Sequence, residues 1–243
     1  MKHINASIVT AVLFAVGLSQ TAMGETILLD LGNDSTYRGA SVASPDGNGN
    51  NWNSVGYGYV ADLVDIDGNP TAVDYAPNGI GGTDSYNGPA GDTAAHPATI
   101  GNTTINAVAL GNLGVIEAAY DFFVNGAIQI QGLDNTKTYN LTLFGSHKYD
   151  EPGVSTYEIH NNSDYTNVVA STTLEHNQHI ENGWAWEHNQ DKVATITGVA
   201  PQESDILYLK YTGYLNSLQI DAIPEPATIG LFGVFGATMF FLR

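Results

Sequence analysis

The chain contains no cysteine, so it can form no disulfide and offers no thiolate as a nucleophile or metal ligand. Basic residues are scarce as well: 7 Lys and Arg stand against 25 Asp and Glu, which gives a formal net charge of −18. Such a surface repels phosphate backbones and anionic lipid, which excludes nucleic acid as a partner. The region between the two ends, residues 25–222, is long enough to bury about 70% of its unfolded surface, so we expect its core to stabilise it without cross-links.

Long apolar runs are absent except at the two ends. Residues 1–24 have the composition of a signal peptide. Lys2 supplies the positive start, residues 8–18 the apolar run, and Ala22-Met23-Gly24 the small residues that signal peptidase requires. The apolar run is too short for a permanent membrane span. We therefore predict export, with a short buried helix as the alternative.

The C-terminal end combines a proline-containing spacer with a second apolar run. Pro224 and Pro226 fix their own φ and favour extended neighbours, so they predict a stiff, accessible connection. Residues 229–242 then follow without a charge. As a helix they would measure about 21 Å, against a hydrocarbon core of about 30 Å, which predicts a temporary stop in the membrane. The basic residues at both ends favour the cytoplasmic side, so the region between them is exported.

Residues 223–243 resemble the PEP-CTERM sorting signal of bacterial envelope proteins. Three features carry the resemblance, in order: Pro224-Glu225-Pro226, a transmembrane helix over 229–242, and a basic end. It implies processing by an exosortase, export to the cell envelope, outer surface or extracellular matrix, and association with extracellular polysaccharide. It also implies contact of the helix with the inner membrane, at least transiently. The single Arg243 departs from the several basic residues usual in the family, and a plain membrane anchor is the alternative.

Between these ends, residues 25–222 predict a single all-β domain. Apolar and polar residues alternate in many short segments that turn residues separate, which favours a β-sandwich with a jelly roll as the best single topology. The clearest candidate strands are 26–31, 127–131, 139–144, 156–160, 206–211 and 216–220, with 57–64, 71–75 and 192–199 as further candidates. Within this domain, residues 115–122 are the one candidate helix. The signal peptide and the C-terminal hydrophobic helix are expected to flank the sandwich.

Four scattered segments give the domain a second resemblance. They read LLDLG at 28–32, NWN at 51–53, LDNTKTYNLTLFGS at 133–146 and YLNSLQI at 214–220. In type and order they are similar to galactose-binding-like jelly rolls of bacterial surface proteins and carbohydrate-active enzymes. The resemblance implies a fold, and sugar binding only by analogy.

Aromatic residues suggest a carbohydrate platform. Trp184 and Trp186 are two residues apart, so in a strand they would share one face and could stack on the apolar face of a sugar. Tyr149, His147 and Trp52 could extend the platform. The alternative is core packing, since Trp is mostly buried in folded domains.

Oxygen-rich loops suggest a structural calcium ion, the one candidate cofactor. Asp65, Asp67 and Asn69 offer the carboxylate and amide oxygens that Ca²⁺ prefers. Residues 46–50 show a similar Asp-Gly-Asn-Gly-Asn pattern. Neither loop has the glycine and glutamate positions of an EF-hand. The alternative for residues 65–69 is a hairpin turn, which the Asp-Gly pair favours.

Histidines suggest a transition-metal site, but their spacing fits no standard zinc pattern. The donors in question are His176, His179 and His188 with Glu175, Glu181 and Glu187. A polar surface loop is the preferred interpretation of this segment.

Signals of catalysis are missing too: there is no Gly-x-Ser-x-Gly elbow and no phosphate-binding loop. We therefore predict a non-enzymatic, exported surface or matrix protein that binds polysaccharide. Two alternatives stay open. One is a purely structural envelope component without a small ligand, and the other is a glycan hydrolase or lyase built on a pair of carboxylates that only the fold would bring together.

Overall fold

The computed structural model describes residues 25–32, 40–84, 87–88, 103–148, 153–179, 186–203 and 205–223. The predicted signal peptide, residues 1–24, and the predicted transmembrane helix, residues 229–242, lie outside these ranges, as does the motif Pro224-Glu225-Pro226. Within the described ranges, no helix has the length and apolar character needed to cross a membrane.

The described part of the chain is built mainly of strands, with 48% of residues in strands and 6% in helices, which confirms the all-β prediction. The strands are β1 (Thr26–Leu31), β2 (Asn53–Val55), β3 (Asp74–Pro77), β4 (Gly82–Asp84), β5 (Phe122–Gln131), β6 (Thr138–Phe144), β7 (Gly153–His160), β8 (Val168–His179), β9 (Trp186–His188), β10 (Ala194–Val199), β11 (Leu207–Leu215) and β12 (Ser217–Ile223). Within the described residues, helical structure is limited to α1 (Ala107–Leu110) and two 3-10 turns, Gly111–Leu113 and Glu117–Ala119.

The strands form two sheets. The smaller sheet has the order β10-β6-β12-β1-β2, and the larger has the order β3-β5-β11-β7-β8-β9, with β4 also paired to β5. Neighbouring strands are antiparallel except for β1 and β2, which are parallel. The predicted β-sandwich character is therefore confirmed.

The main core lies between the two sheets. Ile128, Tyr157 and Leu209 face inward from the larger sheet, and Leu29 and Leu218 face inward from the smaller one. Each is almost fully buried. Burial of one such side chain contributes about 1.5–3 kcal/mol. Because side chains alternate along a strand, this packing also determines which residues face outward.

A second, smaller core covers the opposite face of the smaller sheet. Leu28 and Phe144, each next in sequence to a residue of the main core, pack there with Trp52, Leu110 and Leu113. Helix α1 and the turn after it supply two of these side chains, so the few helical residues close the outside of this sheet.

Asn216 carries the chain from one sheet to the other, because it is the only residue between β11 and β12. Its side chain is fully buried. The Nδ2 group donates to the carbonyl oxygens of Ala119 at 3.1 Å and Asp121 at 2.9 Å, and Oδ1 accepts from the N–H of Ser146 at 2.7 Å. The amide is thus fully paired, as burial requires, and it ties two segments, residues 119–121 and Ser146, to the crossing point.

Two predicted elements differ from the structure. Residues 57–64 form no strand: Val60 and Val64 make only isolated bridges, and Asp62 has a φ of 52°, which interrupts an extended backbone. The helix predicted at 115–122 is a single 3-10 turn at Glu117–Ala119. Phe122, the last residue of the predicted helix, is already the first residue of β5.

Alanine substitutions at two glycines with positive φ distinguish the cost of backbone strain from the cost of steric overlap. Gly132 has a φ of 73° and Gly198 a φ of 68°. A Cβ on Gly132 would overlap the carbonyl oxygen of Ala72, whereas a Cβ on Gly198 would meet no atom within 4 Å. We expect Gly198→Ala to cost about 1–2 kcal/mol through φ alone, and Gly132→Ala to cost clearly more. Urea unfolding of both variants measures this difference, and equal losses would contradict the packing described for Gly132.

Candidate functional site

The structure places two of the predicted platform residues in the interior. Trp52 is 4% exposed, and its indole N–H donates to Asp46 Oδ2 at 3.0 Å. His147 is 8% exposed, and its ring stacks on Tyr214 with a centroid distance of 4.4 Å. Neither ring presents a face to solvent. For Trp52 and His147 the core-packing alternative therefore holds.

The other platform residues are only partly covered by the structure. Tyr149 and Trp184 are outside the described residues, and Trp186 begins β9, which pairs with the end of β8. Asn177 on β8 is opposite His188 and donates through Nδ2 to the carbonyl oxygen of His147 at 2.9 Å. A platform formed by Tyr149, Trp184 and Trp186 stays a prediction.

The predicted calcium loop has the hydrogen bonds of a turn. Asp65 Oδ1 accepts from the backbone N–H groups of Asp67 at 3.0 Å and Asn69 at 2.7 Å. The Nδ2 group of Asn69 donates to both carboxylate oxygens of Asp65, at 3.2 and 3.0 Å. The hairpin-turn alternative accounts for all of these contacts, since an Asp side chain commonly caps its own turn.

Residues 46–50 repeat this geometry. Asp46 Oδ1 accepts from the N–H groups of Asn48 at 2.7 Å and Asn50 at 3.0 Å. The two turns also pack together, since the N–H of Asn51 donates to the carbonyl oxygen of Ile66 at 2.9 Å. Among the residues that the structure describes, no group of three or more His, Cys, Asp or Glu side chains converges on a common point as metal ligands would.

Histidine 188 has a hydrogen-bond pattern that determines its tautomer. The backbone N–H of Thr104 points at Nε2 from 3.3 Å, so Nε2 is the acceptor and the proton is on Nδ1. Nδ1 lies 2.9 Å from Ser146 Oγ and therefore donates to it. In this arrangement His188 cannot take a proton from Ser146, so the pair does not have the geometry of a nucleophile and its base.

An open groove on the outer face of the larger sheet lies outside all of the predicted sites. It encloses about 530 Å³ where β5 and β11 run side by side. Its floor consists of Ala127 on β5 with Lys210 and Thr212 on β11, which face outward because Leu209 and Tyr211 belong to the core. The lining residues are Asn78, Gly79, Asn125, Gly126, Ala127, Asp164, Tyr165, Lys210, Tyr211 and Thr212.

Tyr165 forms one wall of the groove. It lies in the connection between β7 and β8 with a φ of 51°, a conformation that few residues other than glycine adopt. Asn78 Nδ2 donates to its hydroxyl at 3.2 Å, and its ring makes edge contacts with His160 at 5.5 Å and Tyr208 at 6.0 Å. Burial raises the pKa of Tyr165, so its hydroxyl stays neutral. These contacts hold the partly exposed ring in place beside the groove floor.

Asn125 forms the opposite wall, and it also has a positive φ, of 47°. Its Oδ1 accepts from the N–H of Gly213 at 2.8 Å, next to the irregularity in the pairing of β11 with β5. Asn78 is anchored as well, because its backbone N–H donates to the carbonyl oxygen of Ala127 at 2.8 Å. Both walls are therefore attached to the sheet, which holds their side chains on either side of the groove floor.

In comparisons with known proteins, no protein-family model, no curated protein and no solved structure matches the chain.

Burial of His188 leads to a prediction of pH-dependent stability. Burial, and next the positive charge of Lys148, lower the pKa of His188 from 6.5 to about 4. Between these pH values the unfolded chain binds a proton that the folded chain does not bind. The contribution of His188 to the free energy of unfolding is therefore complete above pH 6.5. It falls by about 3 kcal/mol as the pH drops toward 4.

Urea unfolding of the wild type and of His188→Asn across this range measures the effect. Asn can still donate to Ser146 but does not titrate, so the variant is expected to lose this part of the pH dependence. Parallel curves for the two proteins would show that His188 does not cause it.

Proposed function

We propose that this chain is an exported, non-catalytic module that binds polysaccharide of the cell envelope or extracellular matrix. The observation that carries the proposal is the groove on the outer sheet face, with a fixed aromatic ring on one wall and amide groups on both walls. The all-β sandwich supports it as a scaffold, because a rigid sheet holds outward-facing side chains at defined spacings.

The groove is open to solvent, unlike the enclosed pockets that surround most small molecules, so one part of a longer polymer could lie in it. Tyr165 offers a flat apolar surface with a polar tip, which matches the mixed apolar and hydroxyl faces of a sugar ring. Asn125 Nδ2 has no hydrogen-bond partner among the described residues and is available to a sugar hydroxyl.

Delivery to the outside is the second part of the proposal, and the sequence patterns support it. Residues 1–24 would be removed by signal peptidase, and Pro224-Glu225-Pro226 would bring the chain to an exosortase, with residues 229–242 held in the inner membrane at least transiently. The jelly-roll topology of galactose-binding-like domains is likewise proposed, and the two-sheet sandwich is compatible with it.

Substitution of Tyr165 tests the sugar-binding part. Tyr165→Asn removes the ring but suits the positive φ, because Asn adopts that region readily. We expect the variant to lose most of its retention on extracellular polysaccharide in a pull-down. It should stay folded, with a melting temperature lowered by a few degrees because the ring contacts with His160 and Tyr208 are lost. Tyr57→Asn is the matched control, because Tyr57 is 51% exposed and lies outside the groove.

A double variant, Trp184→Ala with Trp186→Ala, distinguishes the groove from the predicted tryptophan platform. Loss of retention in this variant together with full retention by Tyr165→Asn would move the binding site from the groove to the platform. Absence of retention by the wild type would favour the purely structural alternative. Release of reducing sugar by the wild type would favour the hydrolase alternative.

A further inference from the structure

Lys210 stands apart among the cations of the described residues. Lys137 and Lys192 each form an ion pair with a nearby carboxylate, at 3.5 and 2.9 Å, and Lys148 is buried at 1% exposure. Lys210 is partly exposed and forms no ion pair with a described carboxylate. In a chain with 25 acidic and 7 basic residues, a cation left without an acidic partner is unexpected.

The strand geometry explains why Lys210 stays unpaired. It lies opposite Ala127 on one side and Glu158 on the other. The carboxylate of Glu158 contacts His160 instead, with Oε2 3.3 Å from Nε2. The ammonium group of Lys210 therefore remains available at the groove floor, between the two walls that Tyr165 and Asn125 form.

We infer that the groove binds an acidic saccharide, in which a carboxylate or sulfate group of one sugar unit pairs with Lys210 while a sugar ring packs on Tyr165. This inference rests on the proposed function and adds the charge of the ligand to it. The net charge of −18 repels a densely charged polyanion at long range, so the expected ligand is a saccharide with isolated acid groups. A charge-assisted hydrogen bond in a partly desolvated groove is about twice as strong as a neutral one, so Lys210 would discriminate between such a saccharide and a neutral one.

Asp164 at the groove rim has the opposite effect. It is exposed to solvent and lines the same groove, so it weakly repels an acidic ligand. Solvent and salt screen an exposed charge more than a partly buried one, and for this reason Lys210 dominates close to the floor. The two residues therefore give changes of opposite sign: an acidic ligand binds more weakly without Lys210 and more tightly without the charge of Asp164.

Calorimetric titration of the purified protein with three oligosaccharides of equal length tests the inference. The probes are a galactose oligomer with one galacturonate unit, a galactose oligomer with one sulfate group and a neutral galactose oligomer; the first two distinguish carboxylate from sulfate as the acidic group. We expect at least one acidic oligomer to bind more tightly than the neutral one. Lys210→Gln should weaken that binding about tenfold, and Asp164→Asn should strengthen it about two- to threefold. Added salt should reduce both of these differences, because it screens both charges.

Lys192→Gln is the matched control, because Lys192 is also an exposed cation but lies outside the groove and pairs with Glu175. It should leave affinity unchanged, and all variants should melt like the wild type. Equal binding of neutral and acidic oligomers, or weaker binding after Asp164→Asn, would overturn the inference and leave the proposed function intact. Failure of all three oligomers to bind would also overturn it, and the polysaccharide pull-down then decides the proposed function separately.

Discussion

The structure depends on the crossing of the chain from one sheet to the other at a single buried residue, Asn216. A two-sheet sandwich is stable only when the inner faces of both sheets are held in contact, and here adjacent strands of different sheets are joined without a loop. The Asn216 side chain binds the segments before β5 and after β6 to this point. Because a buried amide with a missing partner costs about 1–3 kcal/mol, the full pairing of Asn216 couples local geometry to global stability.

The outer surface follows from the same arrangement. Packing of Leu209 and Tyr211 in the core leaves Lys210 facing outward, and the bulge beside Tyr211 is fixed by Asn125 from the neighbouring strand. Apart from the turn that carries Tyr165 and the connection after β3 that carries Asn78, the groove is therefore built by the strands themselves. Elsewhere in the sandwich, buried His188 forms hydrogen bonds with Thr104 and Ser146 that stabilise the neutral imidazole.

The sequence predicted those strands in which one face is strictly apolar. The first strand, residues 26–31, agrees with β1 at both ends, whereas the twelve-residue strand β8 was missed because polar residues fill most of its positions. Trp52 and His147 could not be assigned to the interior by residue type alone, since their burial depends on Asp46 and Tyr214, which contact them only in the fold. The groove was missed because its walls come from separate segments. The one sequence signal for the groove is the alternation of Leu209, Lys210 and Tyr211, which predicts that Lys210 faces outward.

Urea unfolding of Asn216→Asp tests the central role of this residue most directly. The substitution keeps the shape but replaces the donor group by a charged acceptor that faces two carbonyl oxygens. It is expected to lower the free energy of unfolding by about 3–5 kcal/mol near neutral pH, as an uncompensated buried charge does. Asn135→Asp, which adds the same charge at an exposed turn, should change it by at most about 0.5 kcal/mol. Equal stability of the two variants would contradict the claim that the sandwich depends on the Asn216 crossing.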